Sequence, residues 1–234
     1  MAQRNIVPLL NGNITQTPPK SDCHLMTAQK LKYLTRSEKL SMSIGKYNGI
    51  HLGNYGEDCW LLQHWDGVAN KPRSDKNLSF DKGDGVLSAT QILNTSCYTI
   101  WEAARDCMWL RFSEGLSTVT LVSELRAWHV FALWWRDRYQ GMNFEKWLNS
   151  PSGLDDYVAW MKQEFRSVNL GGYVSQVTQE QRLKPIYQLY QYRQLLKAGL
   201  QFPPFRGNKA ADILGKKISI SKHKSQKNRV GKHS

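Results

Sequence analysis

The chain has 234 residues, of which 41% are apolar and 11% aromatic, and a formal net charge of +13. That length and apolar content suit one large domain, or a compact domain with flanking segments, and exclude wholesale disorder. The longest apolar run, 130–135, is far too short to span a bilayer, and no charged start followed by an apolar stretch and a small-residue cleavage site opens the chain.

Residues 1–85 read as a mixed, turn-rich region. Pro18-Pro19, Asn48-Gly49, Gly53-Asn54, Asp66-Gly67 and Asp84-Gly85 are turn formers. Trp60-Leu61-Leu62-Gln63-His64-Trp65, ahead of Asp66-Gly67, predicts a short strand entering a hairpin. The segment before Tyr33 is expected to be poorly ordered. Cys23, Cys59, Cys97 and Cys107 form no C-x-x-C pair, and Cys23-His24 and Cys59-x4-His64 match no common zinc spacing, so the cysteines are read as reduced and no metal is expected.

Residues 86–199 are dominated by helical periodicity. The first helix is predicted over 96–112, with Cys97, Trp101, Ala104 and Met108 on one stripe and Gly115 ending it. Ser117 or Thr118 caps the second, whose Leu121, Leu125, Trp128, Ala132, Trp135 and Tyr139 share a face until Gly141. Asn143 is placed as the cap of a short turn holding Phe144 and Trp147, and Ser150-Pro151-Ser152-Gly153 as a loop. Leu154, Val158, Met161 and Phe165 stripe a third main helix, and Gly171-Gly172 breaks the chain. Thr178-x-x-Gln181 has the form of a capping box opening the last main helix, which runs to Ala198 with Gly199 as a left-handed stop. Pro185 is expected to kink or restart that helix. The predicted fold class is therefore mainly α: an orthogonal four- to five-helix bundle, with a small β or irregular N-terminal region and a basic disordered tail.

Residues 200–234 form a linker and tail. Phe202-Pro203-Pro204-Phe205-Arg206-Gly207 cannot continue a helix and reads as a stiff connection, and 208–214 as a short helix. Residues 216–234 contain seven Lys or Arg and no acid, which leaves +6 for the rest of the chain. Basicity is thus not confined to the tail. A basic surface concentrates polyanions, and nucleic acid is the usual partner.

On the helices, Lys162 and Arg166 are four apart beside the Leu154 stripe, Arg193 and Lys197 are four apart, and Arg182 lies about three turns earlier. Lys184, Arg206 and Lys209 add charge nearby. Such a set suits phosphate oxygens, and Arg can also read guanine edges. A solvated helix face is the plain alternative for any single residue; the collective excess is what points to DNA. Tyr187, Tyr190 and Tyr192 could stack on bases, but core packing is the better reading. Val130 and Trp134 point away from the main stripe, so that helix is either central or holds a partner. For catalysis the sequence offers little. Asp155 and Asp156 face different directions, His129 reads as structural, and Gly83-Asp84-Gly85 lacks the frame of a phosphate cradle.

Beside this reading stands a resemblance. Residues 116–214 resemble the amino-terminal core-binding (SAM-like) domain of tyrosine recombinases, or phage integrases. It is carried by Ser117-Thr118, by the apolar-aromatic helix through Trp135, and by Phe144-x-x-Trp147. It is carried most by Arg182-Leu183-x-Pro185-x-x-x-Leu189-Tyr190-x-Tyr192-Arg193-x-Leu195-Leu196, then Gly199-Leu200-x-Phe202-x-Pro204-Phe205-x-Gly207 and 210–215. The resemblance implies a helical bundle that packs on one face of duplex DNA and closes a clamp with a separate catalytic domain. That second domain carries a His-x-x-Arg motif and a nucleophilic Tyr, among others. None of the six His here has Arg three positions on, and the chain ends within about twenty residues of Gly215, so no catalytic residue is carried over. The expectation is a non-catalytic DNA-binding module, either a truncated or frameshifted integrase or a stand-alone relative, cytoplasmic and without cofactors. Double-stranded DNA and further recombinase protomers are the expected partners, and a membrane is not. The predicted DNA-binding residues are Lys162, Arg166, Arg182, Lys184, Arg193, Lys197, Arg206 and Lys209. The rival reading is a helical adaptor that binds a protein through exposed aromatic helix faces such as that of Trp134.

Overall fold

A computed structural model describes residues 30–47, 50–62, 77–83, 85–88, 97–139, 142–149, 151–165 and 172–215. Most of these residues are helical, with a minor strand component. A 3-10 turn (Leu31–Tyr33) leads into α1 (Arg36–Ser41). Strands β1 (Lys46–Tyr47) and β2 (Ile50–His51) pair antiparallel, with Lys46 opposite His51. Strands β3 (Cys59–Trp60) and β4 (Leu78–Ser79) form a second antiparallel pair, with Trp60 opposite Leu78. The hairpin predicted at Asp66-Gly67 lies outside the described residues, as do the segments 1–29 and 216–234.

The helices follow. They are α2 (Ile100–Ser113), α3 (Thr118–Arg138), α4 (Phe144–Leu148), α5 (Pro151–Gln163), α6 (Gln176–Arg182), α7 (Lys184–Gln191) and α8 (Ala210–Leu214). No helix among the described residues is long and apolar enough to cross a membrane. The caps expected at Ser117 and Asn143 are present: each side chain accepts the backbone N–H three residues on. Gly115, at φ 80°, ends α2.

Four expectations need correction. The loop at 150–153 gives way to helix from Pro151, because proline lacks the N–H that a first helical residue would leave unpaired. The helix expected to open at Thr178 opens earlier. Ser175 is the cap, its Oγ accepting from Thr178 N at 3.3 Å, and Thr178 sits inside the first turn. Capping boxes form instead at Thr35 with Glu38 and at Thr99 with Glu102. Gly199 does not adopt a left-handed conformation. Helix α7 ends at Gln191 and a series of turns follows. Gly199 is required there by close approach, since a Cβ would sit 2.7 Å from both Leu189 O and Arg193 Cα. Pro185 does restart the helix: α6 stops at Arg182, and α7 carries the proline in its first turn, where no N–H is needed.

The last correction concerns α2, which is not amphipathic. Every residue of 100–110 is buried, including Glu102, Arg105 and Asp106. The helix packs on α3 and α7, and its buried charges bond to Lys39 of α1 and to Tyr55 between β2 and β3. Buried side chains from Leu31 to Leu200 form one continuous core. Helix α3 packs on α2, α6 and α7 and touches β4. Its second apolar side is also occupied: Trp134 is 3% exposed, and its ring lies among Phe131, Trp147 and Tyr157 at centroid distances of 6.0, 5.9 and 4.8 Å. That aromatic cluster fastens α3 to α4 and α5, and it leaves Trp134 no face for a partner.

Candidate nucleic-acid interface

Charged groups occur in two settings. Around α2 they are buried and paired within the fold. The Asp106 carboxylate accepts from Lys39 Nζ at 3.0 and 2.8 Å, from Tyr55 Oη at 2.6 Å and from Tyr98 Oη at 2.9 Å. Burial pushes its pKa up, and Lys39 with the two hydroxyls opposes the rise. Arg105 is wholly buried. It bonds Tyr55 O at 2.7 Å, Glu57 O and Asp58 Oδ1, and lies over the rings of Phe80 and Trp101 at 4.1 and 4.3 Å. Burial lowers its pKa to about 10.

Glu124 of α3 is a second hub. It takes two bonds at 2.9 Å from Arg111, one at 3.2 Å from Lys184 and one at 2.8 Å from Gln188, which in turn accepts from Trp128 Nε1 at 2.7 Å. Burial alone would raise the Glu124 pKa, but Arg111 and Lys184 outweigh it and hold the carboxyl below its ordinary value. These clusters have the shifted pKa values that often mark catalysis, yet each charge finds an opposite charge inside the fold, with only the Arg105 Nε left without a hydrogen-bond partner among the described residues. Among the described residues no group of three or more His, Cys, Asp or Glu could hold a metal ion.

The predicted DNA-contacting residues divide between these settings. Lys184 belongs to the Glu124 hub. Arg193 folds back on its own turn, bonding Tyr190 O at 2.9 Å with its guanidinium 4.1 Å from the Tyr190 ring. Arg166 lies outside the described residues. Lys162 is exposed and reaches across to Ile213 O at 2.6 Å, tying α8 to α5 and satisfying a carbonyl that the end of a helix leaves open. Lys197, Arg206 and Lys209 are exposed, and no partner pairs with them among the described residues.

Arg182, at the end of α6, is half-buried, and its buried Nε has no hydrogen-bond partner among the described residues. Burial lowers its pKa and the neighbouring Arg126 cation lowers it further, partly offset by Tyr157. Helix α8 packs on both α5 and α6, so the elements carrying Lys162, Arg182, Arg206 and Lys209 meet at one end of the molecule.

The chain reaches that end through a 3-10 turn (Pro204–Gly207) that packs on α5 and α7. This segment is docked, which the reading as a stiff linker did not anticipate. Pro204 is buried, Phe205 stacks edge-on to Tyr187 at 6.0 Å, and Tyr187 Oη donates to Asn208 O at 3.1 Å. Phe205 and Arg206 both sit in the left-handed region, at φ 54° and 57°, each at a cost of about 1–3 kcal/mol. Packing of the Phe205 ring and Pro204 holds the strain, and the result aims Arg206 outward.

The tyrosines are structural. Tyr192 is buried and donates to Glu114 at 2.7 Å, Tyr187 bonds Asn208 O, and Tyr190 lies under Arg193. His129 is buried against Ser79 O at 3.4 Å. Asp156 accepts from Tyr139 Oη at 2.8 Å, while Asp155 has no partner among the described residues, so the two carboxylates do serve different surroundings. Sequence reasoning missed Arg126, Asp155 and Asn208 as members of this end. It weighed Phe202 only as part of the linker, although the residue is 79% exposed; an aromatic before a Pro-Pro pair was the one available signal. Comparison with protein-family models, with curated proteins and with solved structures finds no match to the chain.

Proposed function

We propose that this chain is a DNA-binding module of the kind the core-binding half of a tyrosine recombinase resembles. In this reading its helices form a compact orthogonal bundle that lays one end on duplex DNA in recombination or integration. The observation that carries the proposal is the set of exposed bases without carboxylate partners among the described residues, Lys197, Arg206 and Lys209, on a chain of net charge +13. One further feature supports it. The strained backbone at Arg206 keeps an exposed guanidinium where folding alone gains nothing from it.

Phosphate contacts of this type release counterions and position the module without specifying sequence. No chemical step is assigned, because Tyr187, Tyr190 and Tyr192 are each engaged in the fold and a tyrosine nucleophile needs a cationic pocket around its phosphoryl target. The test is duplex binding by fluorescence anisotropy over a range of salt. Affinity should fall steeply with salt, and replacing Lys197, Arg206 and Lys209 by Ala should flatten the log–log slope by about 0.9 for each phosphate no longer neutralised. Salt-independent binding, or none at low salt, refutes the proposal.

A further inference from the structure

A cavity of about 500 Å³ opens at the same end, between α5, the Pro204–Gly207 turn and α8. Its volume is in the range of small-ligand sites, and so is its construction. The floor is apolar, made by the buried side chains of Leu148, Leu154 and Leu200. The rim holds the exposed ring of Phe202 and four polar side chains, Asn149, Asp155, Arg206 and Asn208. Asn149 donates to Glu145 O at 3.0 Å, whereas the side chains of the other three have no hydrogen-bond partner among the described residues. Asp155 and Arg206 carry opposite charges and line one cavity, yet they do not pair with each other. Both therefore present their full bonding capacity to whatever enters.

We infer that this cavity receives an unstacked base of a DNA strand, stacked on Phe202, with Arg206 on its phosphate and Asp155 on an exocyclic amino group. The inference rests on the DNA-binding reading above and deepens it. The chemistry favours a base over other occupants. A carboxylate repels phosphate, so on a basic DNA-binding end Asp155 has to face something other than the backbone, and a base edge is the neighbouring group that can donate to it. A flat apolar body with polar edges matches a leucine floor under a polar rim, and an apolar peptide side chain would leave Asp155 and Arg206 unused. Cytosine presents an amino donor where thymine presents a carbonyl, so the site should prefer cytosine to thymine.

The experiment uses the full chain and three duplexes of one sequence: fully paired, with one extrahelical cytosine, and with one extrahelical thymine. The extrahelical cytosine should bind about tenfold tighter than the paired duplex, the scale of one base–aromatic stack, and tighter than the thymine. Phe202→Ala should abolish that preference and leave paired-duplex affinity in place, while Asp155→Asn should narrow the cytosine–thymine gap and tighten paired-duplex binding slightly, because it removes a charge that repels phosphate. Equal binding of all three duplexes by the unaltered protein overturns this inference and leaves the DNA-binding reading standing. Loss of all duplex binding overturns both. Competition by free dCMP as effective as by the cytosine-bulged duplex would assign the cavity to a free nucleotide instead, and an unchanged preference in Phe202→Ala would remove the stack on which the assignment depends.

Discussion

The surroundings of α2 and the end built by α5, the Pro204–Gly207 turn and α8 hold similar side chains in opposite states. Around α2, Lys39, Arg105 and Asp106 are buried and each finds partners inside the fold. At the other end, Asp155, Arg206 and Lys209 are exposed and find none among the described residues. A buried charge must be matched or the fold fails, so its partners record a structural requirement. An exposed charge has no such requirement, and its position is informative mainly where the backbone is strained to keep it there, as at Arg206. The perturbed pKa values around α2 therefore follow burial.

The largest effects should come from breaking the buried region. Asp106→Ala strands the Lys39 ammonium and two tyrosine hydroxyls, and should cost about 3–5 kcal/mol in denaturant unfolding. A loss under about 1 kcal/mol, the size of an exposed pair, would mean that the charges are not matched as described. Gly199→Ala comes next, at about 1–3 kcal/mol, because its Cβ would meet backbone atoms at 2.7 Å and overpacking costs that much.

The two buried carboxylates should also separate by pH. The Glu124 carboxyl is held below its ordinary 4.5, so its contribution is present above that pH and is lost as pH falls through the lowered value. The Asp106 carboxyl is raised above its ordinary 3.8, so its contribution has the reverse sign and diminishes as pH rises from there through the raised value. Glu124→Gln should flatten the acid limb of the stability profile. An unchanged limb would remove Glu124 as the titrating hub.

The smallest stability changes belong to the exposed end, and these sharpen the comparison most. Replacing Lys197 and Lys209 by Ala should move stability by no more than about 0.5 kcal/mol while weakening DNA binding. Arg206→Gly should leave stability equal or up to about 1 kcal/mol higher, because glycine accepts φ 57° without strain, and should still weaken binding. A variant that loses stability and keeps its DNA affinity would show that the strain serves folding, not function.

Much of the helical region was legible in advance. Ser117 and Asn143 announced helix starts, Gly115 an end and Pro185 a restart, because each acts through its own backbone within one turn. Thr178-x-x-Gln181 misled because the same pattern suits a first turn whose cap is Ser175, and only the chain's path from 172 onward selects between them. Of the predicted binding residues, Lys197, Arg206 and Lys209 are exposed and unpaired among the described residues, whereas Lys184 and Arg193 are engaged by Glu124 and Tyr190. Glu124 lies 60 residues from Lys184 in sequence. No spacing rule could have joined them.

Composition and periodicity by themselves determined that the chain is mainly helical, where α3, α4 and α7 begin, and that it carries a basic excess, since each is set by local residues. Tertiary structure alone decided that α2 runs through the core with its charges inside, that Trp134 is walled in by Phe131, Trp147 and Tyr157, and that the Phe202–Gly207 segment docks and opens a cavity. Those outcomes depend on which distant side chains arrive to match a charge or cover a ring. Burial is a property of that arrival and not of the residue that becomes buried.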